Sequence, residues 1–168
     1  MKKNILFITV MILICCNDAI NKVVVDEKTG NKMLVGRTDI NIFQQPEYSE
    51  WYNNEYFGYE PDKFILDQIK MNIDSINIQI FMGTWCSDSR REVPRFIKIL
   101  DQLNFDKNNL QLINLDRKKH SPNSEEKDKN IELVPTFILS KNEIEIDRII
   151  EFPIVTLESD ILNILLGI

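Results

Sequence analysis

Cysteine is scarce in this sequence, and its positions restrict the chemistry available to the protein. Three cysteines occur in 168 residues, and two of them, Cys15 and Cys16, lie within the first sixteen. If Cys15 is discarded and Cys16 modified on export, Cys86 is the single thiol left, and the mature fold has no internal disulfide. A catalytic cycle between a dithiol and an internal disulfide is then excluded.

Basic residues and histidine are also in short supply. The 20 Lys and Arg residues are outnumbered by 26 Asp and Glu residues, which gives a net charge of -6. A nucleic-acid-binding protein neutralises phosphates with clustered basic residues, so this class is excluded. The one histidine, His120, has no second ligand at metal-binding spacing, and we expect it to be solvated. We predict neither a metal site nor a dissociable cofactor.

The longest hydrophobic run, residues 5–14, is too short to span a bilayer as a permanent helix. It follows two lysines and ends at residues 13–16, which read LICC and resemble the lipobox of bacterial lipoproteins. This resemblance predicts lipidation of Cys16. A plain cleaved signal peptide and an uncleaved anchor are the alternatives, and all three place the folded domain outside the cytoplasm. The lipoprotein interpretation predicts a membrane-anchored protein of the bacterial cell envelope that faces the periplasm.

The remaining length suits one domain. We assign residues 1–16 to a signal peptide, residues 17–32 to a tether or a short hairpin around the turn signal at residues 26–31, and residues 33–168 to the domain. Residues 33–59 are rich in aromatic side chains, and we expect them to pack on the domain. These side chains are Phe43, Tyr48, Trp51, Tyr52, Tyr56, Phe57 and Tyr59.

Hydrophobic periodicity predicts a strand–helix–strand unit, then a long polar loop, a hairpin and a closing helix. The predicted strands are residues 76–82, 110–115, 136–139 and 144–150, and the predicted helices are residues 62–71, 89–103 and 157–166. This order predicts an α/β protein with a central mixed sheet of about four strands flanked by helices, preceded by an N-terminal extension.

Two motifs at fixed places on these elements resemble the thioredoxin-like superfamily. Residues 81–89 read FMGTWCSDS where a buried strand gives way to a helix, and residues 134–137 read VPTF before a third strand. Residues 141–143 read KNE, similar to the hairpin that follows the proline motif in that family. The likeness covers residues 76–166, and it extends to small bacterial thioredoxin-like proteins that keep a single cysteine in a Cys-x-x-Ser motif.

The resemblance implies a thioredoxin fold and a substrate-binding surface around Cys86. It implies a cis peptide bond before Pro135, which faces the cysteine, and Val134 backbone groups that pair with an extended substrate. Thr136 belongs to the same motif. Trp85 is expected to offer the substrate an exposed apolar platform.

Cysteine at this position has a physical rationale, because the backbone N–H groups and dipole at a helix N-terminus favour thiolate over thiol. Arg90 and Arg91 are expected to add positive potential, while Asp88 opposes it or accepts a proton. The second cysteine of the family motif is replaced by Ser89, which is expected to hydrogen-bond the thiolate.

A serine hydroxyl does not resolve a mixed disulfide, so an external reducing thiol must release Cys86. The family's buried acid is also missing, because Ile80 stands six residues before the cysteine. The sequence therefore predicts a monothiol thiol-disulfide exchange protein that acts on protein or peptide thiols and disulfides by isomerisation, deglutathionylation or capture.

Two alternatives remain open at this point. Cysteine is often buried as a small hydrophobic residue, so a non-catalytic thioredoxin-fold binding module or chaperone would use the same groove without covalent chemistry. A monothiol peroxidase fits poorly, because the only hydroxyl nearby on the amino side, that of Thr84, is two residues from Cys86.

Overall fold

A computed structural model of the protein describes residues 21–168. The expected leader and the expected lipidation of Cys16 lie outside this range. The elements are β1 Asn21–Val25, β2 Lys32–Thr38, α1 Pro46–Gly58, α2 Lys63–Lys70, β3 Ile76–Met82, α3 Ser87–Gln102, β4 Leu110–Asn114, β5 Thr136–Lys141, β6 Ile144–Ile150 and α4 Leu157–Leu166, with short 3-10 helices at Ile40–Gln44 and Lys107–Asn109. Within residues 21–168, no helix is both long enough and apolar enough to cross a membrane.

The six strands form one mixed sheet in the order β1-β2-β4-β3-β5-β6. Strands β3 and β4 are parallel and are joined through α3, whereas β5 pairs antiparallel with both β3 and β6. The four strands β4-β3-β5-β6 and the helix after β6 form a thioredoxin-like fold, which confirms the predicted fold class. The sheet has two strands more than the predicted number, both contributed by the N-terminal hairpin.

The N-terminal hairpin belongs to the sheet from residue 21 onward. Strand β1 pairs antiparallel with β2 along its whole length, and β2 pairs antiparallel with the end of β4 through Gly36, Arg37 and Thr38. Asp26 holds the turn by accepting hydrogen bonds from Lys28 N–H and the Thr29 hydroxyl. Residues 21–32 are therefore a hairpin of the sheet and not a tether.

The hydrophobic core is divided between the two faces of the sheet. In β3, Ile80 and Met82 point to one face and Phe81 to the other, because side chains alternate along a strand. All four helices contribute to the larger cluster, on the Ile80 side. The smaller cluster, on the Phe81 side, includes Leu115 and Val134, and Trp85 and Cys86 pack against it.

Six of the seven aromatic side chains of the N-terminal extension lie in or against the larger cluster, whereas Phe57 is 69% exposed. Phe43 is fully buried and its ring stacks on Tyr52 at a centroid distance of 5.3 Å. Helix α1 packs against α3, and α2 packs against α4. The extension is therefore part of the domain core.

Polar contacts also fix the extension to the domain. The Tyr59 hydroxyl donates to Glu158 Oε2 at 2.5 Å, and Arg95 Nη2 lies 2.6 Å from Glu55 Oε2. Burial, followed by the hydrogen bond to Glu158, raises the pKa of Tyr59 above its usual range. The phenol is therefore held neutral against a buried carboxylate, because a second negative charge there would be repelled.

Candidate active site

Cys86 lies where β3 gives way to α3, at the carboxyl end of a central strand. Helix α3 begins at Ser87, two residues earlier than the sequence predicts, so Cys86 is its N-cap residue. The Cys86 backbone N–H donates to Gly83 O at 2.9 Å, which closes the turn between strand and helix. The side chain is partly exposed and is a free thiol. A reagent or substrate therefore has access to the sulfur.

The first turn of α3 has no side-chain cap among the described residues. In most helices, an N-cap Ser, Thr, Asp or Asn accepts a hydrogen bond from the N–H groups of the first turn. Here the N-cap residue is the cysteine, and its Sγ accepts no hydrogen bond from those N–H groups. Those N–H groups and the helix dipole favour a negative charge at this position.

The proline loop lies directly beside the sulfur. The Val134–Pro135 peptide bond is cis, and Cys86 Sγ donates to Val134 O at 3.2 Å. This hydrogen bond is made by the protonated thiol, so it is lost when the proton leaves. Thr136 is buried and its hydroxyl donates to Leu133 O at 2.8 Å, which fixes the loop. The structure thus brings the two sequence motifs together at Cys86.

Ser89 and Asp88 are close to Cys86 in sequence but are engaged elsewhere. Ser89 is fully buried, and its Oγ accepts from Gly83 N–H at 3.2 Å. The Asp88 carboxylate pairs with Arg91 Nη2 at 2.8 Å. Neither side chain makes a hydrogen bond to Sγ in residues 21–168. Ser89 therefore supports the loop before the cysteine, and the opposing charge of Asp88 is balanced by Arg91.

The two arginines after the motif also contact groups other than the sulfur. Arg90 Nε donates to Thr84 O at 2.5 Å, and its guanidinium carbon lies 6.0 Å from the Trp51 ring centroid. Arg91 pairs with Glu92 as well as with Asp88. Arg90 therefore stabilises the loop before Cys86, and Arg91 forms ion pairs on the surface of α3.

Trp85 is half-buried and held in one orientation. Its Nε1–H donates to Leu115 O at 2.9 Å, and its ring passes close over the backbone of Gly83. A Cβ atom at position 83 would lie 2.6 Å from two atoms of the indole, so only glycine fits beneath it. The ring does not form the bare apolar platform that the sequence predicts, because two cations cover part of it.

These cations, Arg117 and Lys119, belong to the polar loop after β4. The guanidinium carbon of Arg117 lies 4.8 Å from the Trp85 ring centroid, and Lys119 Nζ lies at 5.6 Å. Asp26 of the hairpin is buried, and its carboxylate holds Arg117 at 2.7–2.8 Å. The hydrogen bond from Arg117, followed by that from Thr29, keeps the pKa of Asp26 well below its usual range.

The sequence did not predict that Arg117 and Lys119 contact Trp85 or that Asp26 pairs with Arg117. One signal was available, since Arg117 lies just beyond the end of β4, and the carboxyl ends of parallel neighbours β3 and β4 meet at one sheet edge. No such signal existed for Asp26, whose partner is 91 residues away and is reached only through the register of the hairpin.

No candidate metal site is found among residues 21–168, where no three His, Cys, Asp or Glu side chains come together to hold an ion. His120 is exposed and its Nδ1 lies 3.3 Å from Glu126 Oε1. The polar groups around Cys86 include the backbone N–H groups of the first turn of α3 and the Val134 carbonyl, which accepts from Sγ.

No protein-family model and no curated protein matches the chain. Among solved structures, a protein of unknown function from Pseudomonas aeruginosa is 13% identical with a TM-score of 0.49, over 71% of this chain and 81% of that one. A yeast mitochondrial 1-Cys peroxiredoxin is 24% identical with a TM-score of 0.34, over 55% and 79%. Mitochondrial thioredoxin 3 of Saccharomyces cerevisiae, in its oxidised form, is 22% identical with a TM-score of 0.33, over 57% and 86%.

Proposed function

We propose that the chain is a monothiol thiol-disulfide exchange protein with Cys86 as its nucleophile. The observation that carries this proposal is the position of Cys86: a partly exposed thiol that is itself the N-cap of a 16-residue helix and lies beside the cis-proline loop. A cysteine that served only to fill the core would be enclosed by apolar side chains. Cys86 contacts the smaller apolar cluster on one side, but it remains partly exposed and directly precedes the uncapped first turn of α3.

The exchange step needs no cofactor. The Cys86 thiolate attacks one sulfur of a substrate disulfide, a Cys86–substrate disulfide forms, and the other substrate sulfur leaves as a thiolate that takes a proton from water. Cys86 is the only cysteine within residues 21–168. An external thiol therefore attacks the mixed disulfide, which returns Cys86 and transfers the substrate to that thiol.

Roles for the neighbouring residues follow from their contacts. Val134, Pro135 and Trp85 are assigned to the substrate-binding surface, because Val134 O lies 3.2 Å from Cys86 Sγ and Trp85 packs against the same apolar cluster as Cys86. Ser89 and Thr136 are positioning residues, because they hold the two loops through Gly83 N–H and Leu133 O. Asp88 forms an ion pair with Arg91 on the surface of α3.

The proposed place of action is the bacterial cell envelope. This part of the proposal depends on the sequence of residues 1–16, with Cys16 as the lipidated residue that anchors the domain on the periplasmic side of a membrane. In that compartment, disulfides persist in substrate proteins, and an exchange protein has substrates available.

Adduct formation tests the catalytic proposal. The full chain in mild detergent is incubated with a peptide disulfide, and tryptic mass spectrometry locates the adduct. We expect a mixed disulfide on Cys86 that an added thiol releases, and no adduct on α3 in Cys86→Ala. If the folded chain forms no adduct at Cys86 while the urea-unfolded chain does, the exchange proposal is wrong and a non-catalytic binding module is the better interpretation.

A further inference from the structure

Two basic side chains lie on the aromatic ring next to the nucleophile. Arg117 and Lys119 are 4.8 Å and 5.6 Å from the centroid of Trp85, the residue before Cys86. A hydrogen bond from Nε1–H to Leu115 O restricts rotation of the indole ring. Attraction to the ring face therefore favours a position of both cations over Trp85, the residue that precedes the thiol.

The loop that carries Lys119 is itself well defined. Asp116 Oδ1 accepts hydrogen bonds from the backbone N–H groups of Lys118 at 2.8 Å and His120 at 2.9 Å. The Lys119 N–H donates to Asp116 O at 3.0 Å, and Lys119 adopts a φ of 64°. This closed turn directs Lys119 back over the indole, where an extended loop would leave it in solvent.

The two cations on Trp85 differ in their ion pairing. Arg117 is matched by the buried carboxylate of Asp26, whereas Lys119 has no ion-pair partner among residues 21–168. Asp88 is paired with Arg91, and the Asp116 carboxylate in the same loop as Lys119 accepts backbone N–H groups of Lys118 and His120. Lys119 is therefore a cation on the active-site tryptophan that no carboxylate of residues 21–168 neutralises by a direct ion pair.

We propose that Lys119, supported by Arg117 on Trp85, selects peptide disulfides whose reacting cysteine is flanked by acidic residues. This inference rests on the proposed function and names its substrate class. In this proposal, a carboxylate one residue from the substrate sulfur lies near these cations when the sulfur meets Cys86, because Trp85, on which the cations lie, directly precedes Cys86. Because the chain as a whole is acidic, attraction at this one place also orients the approaching peptide.

Two peptides of the same length measure this selectivity. Both carry one cysteine as a 2-pyridyl disulfide, flanked on both sides by Glu in one peptide and by Gln in the other. Attack by Cys86 joins its sulfur to the peptide and releases pyridine-2-thione, whose absorbance gives the rate. The rate for each peptide is divided by the rate at which the same peptide reacts with a small neutral thiol. The ratio of the two normalised rates, Glu peptide to Gln peptide, does not depend on the fraction of Cys86 that is thiolate.

We expect the ratio for the full chain in mild detergent to exceed one at low salt and to fall towards one at high salt. Lys119→Gln should lower it about threefold, the factor for one unit charge at roughly 6 Å in water. Lys141→Gln is the matched control, because Lys141 is exposed and ends β5 at the far end of the sheet from Cys86. Its ratio should equal that of the natural chain.

Three results would overturn the inference. If Lys119→Gln and the natural chain give the same ratio, Lys119 does not determine specificity. If Lys141→Gln lowers the ratio as much as Lys119→Gln does, the ratio depends only on net charge. Both leave the exchange proposal intact, since Cys86 still reacts. A folded chain that releases no pyridine-2-thione from either peptide contradicts the exchange proposal and this inference together.

Discussion

At the scale of single residues, the site is set by a few positions that admit one side chain. Gly83 is one of these, since the indole of Trp85 lies where a Cβ atom would be. Asp26 is another, because its carboxylate alone compensates the guanidinium that lies on the same indole. Each position makes a prediction that concerns Trp85 or its cations and leaves Cys86 in place.

Gly83→Ala should displace Trp85. The added methyl group lies 2.6 Å from Cε2 and Nε1 of the indole, so the ring must move and lose its hydrogen bond to Leu115 O. We expect an unfolding free energy lower by about 1–3 kcal/mol in urea titrations, and a changed near-ultraviolet circular dichroism spectrum. Gly58→Ala is the control, because nothing lies within 4 Å of its Cβ position. Equal stability of the two variants would contradict this account.

Asp26→Asn should lower stability at neutral pH, and the loss should shrink in acid. Since Arg117, and then Thr29, hold the pKa of Asp26 below its usual range, the stabilisation is fully present above the unfolded-state pKa of about 3.9 and fades as pH falls below it. Urea titrations at pH 7 and pH 3 measure the difference. The exposed neighbour Glu27→Gln is the control and should show little change at either pH. A difference that is as large at pH 3 as at pH 7 would refute the ion-pair explanation.

At the scale of elements, the N-terminal extension is attached to the thioredoxin-like core at two places. The β1–β2 hairpin extends the sheet beside β4, and the Leu34 N–H donates to the Thr84 hydroxyl in the active-site loop. The α1 and α2 helices pack on α3 and α4. The hairpin therefore acts on the site through Asp26 and Thr84, while the helices complete the core.

Tyr59→Phe should weaken the attachment of the helices. The change removes the donor to Glu158, a buried carboxylate that keeps only the Asp62 N–H at 3.2 Å. We expect a loss of roughly 1–3 kcal/mol of unfolding free energy. Tyr56→Phe is the matched control: its hydrogen bond to Asp101 is exposed, and its loss should cost under about 1 kcal/mol. Equal losses would show that the buried contact carries no special weight.

The same tyrosine predicts a loss of stability in alkali. Burial, and then the Glu158 hydrogen bond, raise the pKa of Tyr59, so the unfolded chain releases this proton first. The stabilisation is complete below about pH 10 and declines as pH rises above it. Urea titrations between pH 9 and pH 11 should show a steeper decline for the natural chain than for Tyr59→Phe. Parallel declines would contradict the assignment.

Elements with a strong local pattern were predictable and the others were not. The alternation in β3 and the apolar face of α3 are visible in the sequence, and the fold class follows from their order. The hairpin was ambiguous because Val23 and Val25 are exposed on an edge strand, so no buried face marks it. The predicted start of α3 was two residues late, because a cysteine is not an ordinary N-cap residue.

At the scale of the whole molecule, contacts between residues distant in sequence determine which side chains surround Cys86. Cys86, Trp85 and Pro135 were predicted as neighbours from two motifs and the expected fold. Arg117 and Lys119 were assigned to a solvated loop, since a run of basic residues has no pattern that indicates an aromatic partner. Their contact with Trp85 places two cations on the ring that directly precedes Cys86 in a protein of net charge -6.

The central claim is that Cys86 is the nucleophile of a thiol-disulfide exchange protein, and one measurement of its reactivity tests it most directly. Iodoacetamide alkylation of Cys86 is followed by mass spectrometry of its tryptic peptide at pH 7, in the folded full chain and in the chain unfolded in urea. Each rate is normalised to a cysteine peptide in the same solvent. The uncapped first turn of α3 and the adjacent cations predict a faster normalised rate in the folded protein. A slower rate on folding would contradict the claim and leave Cys86 as an unreactive residue of a binding protein.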